Sequence, residues 1–133
     1  MERPSKDKID RIIREKYSVS LMSDTKWEKI IDRVTDVVGE VFVNYKLIYS
    51  EEVYDSSLDS SDFKPFFIEP TLYKEVEWLE FPYSYCAPVN RNNLKAGTKT
   101  YDQDVAAIKD VLDMIGRFDL EQSQAGLKIY GYR

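Results

Sequence analysis

The sequence predicts an α+β protein: a mostly antiparallel sheet of about four strands with helices packed on one face, in the order ααβββαβ. Three observations carry this reading. Apolar residues recur at helical spacing over 27–38 and again over 105–115. Between them, from residue 40, the period shortens to two and the composition turns β-branched and aromatic. The chain then closes on LKIYGYR, another strand-forming run. With 133 residues and no internal repeat, residues 1–133 are expected to form a single globular domain with a buried core, 1–5 being a flexible tail.

The elements follow in order. Lys6 to Tyr17 forms a short amphipathic helix through Ile9, Ile12, Ile13 and Tyr17. The next helix carries the clearest stripe, with Trp27, Ile30, Ile31, Val34, Val37 and Val38 along one side over three turns. Asp24 or Thr25 is placed to cap it, Thr25 and Glu28 having capping-box spacing, and Gly39 to stop it. EVFVNYKLIY (40–49) makes the first strand, with Val41, Val43, Tyr45, Leu47 and Tyr49 on one face. SEEVYDSSLDSSD (50–62) has five acids, five serines and no base, the composition of an exposed loop. Residues 63–70 hold a short strand that Pro65 and Pro70 confine to an edge, and TLYKEVEWLEF (71–81) is the third strand. Residues 88–100 form a polar loop without periodicity. Thr100 or Asp102 caps a helix whose stripe is Val105, Ile108, Leu112 and Ile115, ending near Gly116. The last strand is 127–133.

Composition excludes several chemistries. The chain has no histidine, which removes the commonest general base, a common metal ligand and the histidine-activated nucleophiles. Its single cysteine, Cys86, follows Tyr83 and Tyr85 and is read as a small apolar structural side chain in a reducing compartment. Asp55, Asp59 and Asp62 invite a metal reading, but the run lacks the alternating ligands, glycine and closing glutamate of a calcium loop. Glu75 and Glu77 could pair as acid and base, yet no substrate cradle accompanies them. There is no glycine-rich phosphate loop, and the basic residues do not cluster. The expectation is a protein that is not an enzyme, takes no cofactor or metal, and does not bind nucleic acid directly. The N-terminus has no apolar segment of the signal-peptide kind and no run long enough to span a membrane, so a cytoplasmic location away from the membrane is expected.

Charge points to a partner. Residues 50–85 hold nine acids against Lys64 and Lys74, while the stretches on either side each carry one net positive charge. The whole acidic excess of the chain therefore sits in one quarter, which also carries or adjoins Tyr49, Tyr54, Phe63, Tyr73 and Tyr83. Rim carboxylates accelerate encounter with a basic partner, and desolvated tyrosines anchor it. The expected contact residues are Tyr49, Glu51, Glu52, Tyr54, Asp55, Asp59, Asp62, Glu75 and Glu77, with Val76 and Trp78 turned to the core.

LMSDTKWEKI (21–30), EVEWLEF (75–81) and KIYGY (128–132) resemble a family of short bacterial proteins of unassigned function, similar to immunity proteins of contact-dependent inhibition and other polymorphic toxin systems. The patches cover about 22 of 133 residues and include no catalytic motif. The resemblance implies a small cytosolic protein that neutralises a toxin domain. Such toxins are often nucleases, which are basic because their substrate is polyanionic, and an acidic inhibitor suits them. The alternatives are a non-enzymatic adaptor or regulatory subunit, in which the acidic quarter serves solubility, and a small-molecule-binding α+β domain with its pocket among the aromatics.

Overall fold

The structure is a computed structural model that describes residues 4–58, 73–90 and 92–133. Its elements are α1 (Lys6–Lys16), α2 (Asp24–Val38), β1 (Val41–Leu47), β2 (Val53–Leu58), β3 (Val76–Pro82), β4 (Ser84–Pro88), β5 (Thr98–Asp102), α3 (Val105–Ile115), β6 (Leu120–Gln122) and β7 (Gly126–Tyr130). Among the described residues, five strands form one antiparallel sheet in the order β2-β1-β3-β7-β6, and β4 and β5 form a separate hairpin. The α+β class holds, with five strands in the main sheet rather than about four.

The core lies between that sheet and the pair α2 and α3. Trp27, Ile30, Ile31 and Val34 of α2 and Ile108 and Leu112 of α3 meet Val41, Val43, Tyr45, Leu79, Phe81, Leu127 and Ile129, all buried. Val38 and Ile115 of the predicted stripes pack at its margin, whereas Val37 is exposed. α1 joins the end of the sheet through a smaller cluster, Ile9 with Ile48 and Tyr132, flanked by Ile12, Ile13, Tyr17 and Tyr49. The linker after α1 runs against the C-terminus: Ser18 and Val19 N–H donate to Arg133 O, and Arg133 N–H donates to Val19 O.

Several expectations need correction. Ser5, placed in the flexible tail, caps α1 through the Lys8 N–H. Ser23, not Asp24 or Thr25, caps α2, and Asp104, not Thr100 or Asp102, caps α3. The expected loop at 50–62 contains β2, whose register with β1 sets Tyr54, Ser56 and Leu58 opposite Tyr45, Val43 and Val41. Leu58 is fully buried there. The loop at 88–100 contains the start of β5, and β4 and β6 were not foreseen. Residues 73–75 form a 3-10 turn rather than strand. The strand expected at 63–70 lies outside the described residues.

The two faces of the sheet differ. Tyr45, Leu79 and Ile129 are aligned on the core face, while Lys46, Trp78 and Tyr130 are aligned on the other. A register shift at Lys46/Leu47 leaves Glu77 as a bulged residue, since Lys46 pairs with Trp78 and Leu47 with Val76. Val76 is buried as expected, but Trp78 stands on the face away from the core, where Lys128 Nζ lies 4.1 Å from its ring centre. β7 approaches β3 closely at Gly126, where a Cβ would lie 2.2 Å from Phe81 O.

Candidate binding cleft

The hairpin β4–β5 folds across one corner of the sheet's second face, and the reason lies in β1 and β3. Pairing of β1 with β3 covers Asn44–Leu47 and stops before Phe42. β3 ends at Pro82, which has no N–H to offer. The side chain of Gln103 fills this missing rung. Its Oε1 accepts from Phe42 N at 2.8 Å, and its Nε2 donates to Phe42 O and to Pro82 O, each at 3.0 Å. Gln103 N–H also donates to Tyr83 O at 2.7 Å, which ties the exit of β5 to the entrance of β4.

Aromatic stacking completes the attachment. Tyr85 of β4 lies 4.4 Å from the Phe42 ring centre at an interplanar angle of 5°, and Tyr101 of β5 stacks on Tyr85 at 5.6 Å. Between this hairpin and the outer face of β1 and β2 is a cleft of about 830 Å³. Phe42, Asp55 and Ser57 supply one side and Tyr85, Cys86, Val89 and Tyr101 the other, with Glu40 at the start of β1. Two carboxylates and no basic residue line it among the described residues. The cleft can therefore hold a cationic group against aromatic surface.

A second acidic cluster is turned inward. Glu77, held in the bulge, accepts a hydrogen bond from Tyr17 Oη and pairs with Lys46 Nζ at 3.2 Å and Lys16 Nζ at 3.7 Å. Burial, followed by the bond to Glu77, raises the Tyr17 hydroxyl above its ordinary pKa. Glu75 is fully buried, and Tyr49 Oη donates to it at 3.2 Å. Tyr132 stacks on Tyr17 and donates to Lys74 O, and burial pushes its pKa up to about 12. This cluster joins α1, the end of β1 and the start of β3 to the C-terminus.

The predicted contact residues thus divide. Glu51, Glu52 and Asp55 are exposed, and Asp55 lines the cleft. Glu75 does not face a partner, because it is buried, and Glu77 is engaged by three groups of the chain itself. Tyr49 is bonded to Glu75, and Tyr54 packs on Tyr45 at 5.9 Å and shares a hydrogen bond with Ser50. Asp59 and Asp62 lie outside the described residues. The aromatics at the cleft are Phe42, Tyr85 and Tyr101, which the sequence reading did not select. Phe42 had a usable signal: the alternation that buries Val41 and Val43 must turn it to the opposite face. Cys86 is exposed on the hairpin, contrary to its expected apolar burial, with Sγ 3.5 Å from Thr100 Oγ1.

Among the described residues no group of three acidic, histidine or cysteine side chains is arranged to hold a metal, and no helix is long and apolar enough to cross a membrane. Residues 9–133 match a family described as "Family of unknown function (DUF6678)", a description that gives neither activity nor partner. No curated protein and no solved structure is similar to the chain.

Proposed function

The chain belongs to the DUF6678 family, and from that premise we propose that it is a non-catalytic cytoplasmic protein that binds and neutralises a basic partner, in the manner of an immunity protein against a nuclease toxin domain. One observation carries the reading. The cleft joins Asp55 of the acidic quarter and Glu40 to a three-ring aromatic stack, with the exposed Glu51 and Glu52 on the turn leading into the same strand. Desolvated aromatic surface with a carboxylate rim suits a basic protein surface, and a toxin whose substrate is polyanionic presents one. The contact set is revised accordingly to Glu40, Phe42, Glu51, Glu52, Asp55, Tyr85 and Tyr101.

The test is binding of candidate basic toxin domains from neighbouring genes, followed across a salt series. Exposed charge pairs contribute only about 0–1 kcal/mol each, so neutralising Glu51, Glu52 and Asp55 together is expected to slow association and flatten its salt dependence. Unchanged affinity, on-rate and salt slope would rule out this surface. The volume of the cleft also supports a second reading, a small-molecule site, since such sites span roughly 300–1,000 Å³. A ligand that raises thermal stability and protects Cys86 from alkylation, with no partner protein needed, would favour it.

A further inference from the structure

Resting on the partner reading above, we propose that the cleft between the hairpin and β1–β2 is a receptor for a single arginine side chain of the basic partner. Asp55 of β2 brings a carboxylate to the cleft, and Glu40, just before β1, lines it as well. Beside them lie Phe42, Tyr85 and Tyr101, stacked in series at 4.4 and 5.6 Å, which supply the aromatic lining of the cleft. A guanidinium is planar, carries five N–H donors in a fixed fork, stacks on aromatic rings and is weakly hydrated. An ammonium is a compact, strongly hydrated point charge that gains less from aromatic surface and from two separated acceptors. Ser57, also lining the cleft, adds a hydroxyl that can accept from the same fork.

The surroundings favour the same occupant. Among the described residues no lysine or arginine lines the cleft, so these walls set no like charge against an incoming cation. Lys99 Nζ lies 5.6 Å from the centre of the Tyr101 ring, and Lys99 is not among the lining residues. Gln103 fixes the hairpin to the sheet through main-chain atoms of Phe42 and Pro82 and is not itself among the lining residues. A preformed, aromatic-walled slot loses little entropy when it takes a rigid planar group.

The experiment titrates the full chain with a hexa-arginine peptide and, separately, a hexalysine peptide, following amide shifts and the alkylation rate of Cys86. The expected result is that the arginine peptide shifts Phe42, Ser57, Tyr85 and Tyr101 and slows Cys86 alkylation. The lysine peptide should bind several-fold more weakly, and Asp55→Asn should weaken arginine binding about tenfold with its circular dichroism unchanged. Tyr85→Leu, which keeps an apolar side chain but removes the flat ring, should reduce the preference for arginine over lysine. Equal response to both peptides, or shifts spread over the acidic surface and insensitive to Asp55→Asn, overturns the proposal. If the toxin domain is still bound and neutralised by Asp55→Asn at wild-type affinity, the arginine slot fails while the broader partner reading stands. If the slot behaves as expected but no basic domain is bound, it is the partner reading that fails.

Discussion

Removing the Gln103 side chain should detach the hairpin from the sheet. Three neutral hydrogen bonds run from its amide to Phe42 N, Phe42 O and Pro82 O, all part-buried. A net contribution of about 1 kcal/mol each, reduced because water can reach the freed groups, gives a cost of about 2–3 kcal/mol for Gln103→Ala. Gln103→Glu tests the chemistry more sharply. Its carboxylate can still accept from Phe42 N, but it faces two carbonyl oxygens without a donor. The carboxylate is disfavoured in the folded state, so its folded pKa rises above the unfolded value of about 4.3. The penalty is then absent below the unfolded pKa and appears as pH rises through the folded one. Gln103→Glu should therefore be much closer to wild type at acid pH than at neutrality, once both are compared at the same pH. The assay is denaturant unfolding at several pH values, with hydrogen exchange of the β4 and β5 amides to locate the loss. An unfolding free energy of Gln103→Ala within about 0.5 kcal/mol of wild type, the range of ordinary surface changes, or unchanged hairpin exchange, would refute the reasoning.

Gly126→Ala should cost more than about 3 kcal/mol or abolish folding, because the new Cβ would meet Phe81 O at 2.2 Å and Pro82 Cα at 2.7 Å, both backbone; a normal melting temperature would contradict the close approach of β7 to β3. Glu77→Ala should cost about 2–3 kcal/mol, since it strips Tyr17 of its acceptor and leaves the buried Lys46 without its carboxylate. Hydrogen exchange should rise in α1 more than in α2, and equal rises would mean that Glu77 does not dock α1. Alkaline pH should destabilise the protein, in part through Tyr132. Its folded pKa of about 12 lies above the ordinary 10, so stability is full below pH 10 and lost as pH climbs through 12. Tyrosinate absorbance that rises fully before the far-ultraviolet signal changes would show that Tyr132 ionises without resistance from the fold.

The parts of the fold that were legible share one property: their sequence period is set by the face they bury. The α2 stripe and the alternation of β1 were readable because Trp27 to Val34 and Val41 to Leu47 each obey a single period throughout. β2 was not, because only Tyr54 and Leu58 of its inner face are apolar and its pairing comes from the edge that β1 offers. The Glu75 and Glu77 assignments failed for a geometric reason. They assumed one continuous strand, whereas a 3-10 turn ends at Glu75 and a bulge holds Glu77, and a one-residue shift changes the side that a residue faces. Gln103 was invisible because its partner Phe42 is 61 positions away and an amide has no sequence signature for such a role. Tyr85 and Tyr101 lay in segments without a detectable period, so nothing marked them as facing each other.

This failure also changes the electrostatic argument. A charge count over 50–85 treats every carboxylate as part of one outward field, but the fold sorts them. Glu75 and Glu77 are drawn inward to Tyr49, Tyr17, Lys16 and Lys46, all of which come from outside the acidic quarter. Glu80 is half-buried and receives a bond from Asn44 at 3.4 Å. Their charge is spent locally in holding α1 and the sheet together. What reaches solvent from the described part of the quarter is Glu51, Glu52 and Asp55, on or beside the strand that borders the cleft. The field is thus weaker than the count suggests but better directed, because screening confines it to about a Debye length from that corner. Replacing Glu77 should therefore harm the fold with little effect on encounter rate, and replacing Asp55 should do the reverse.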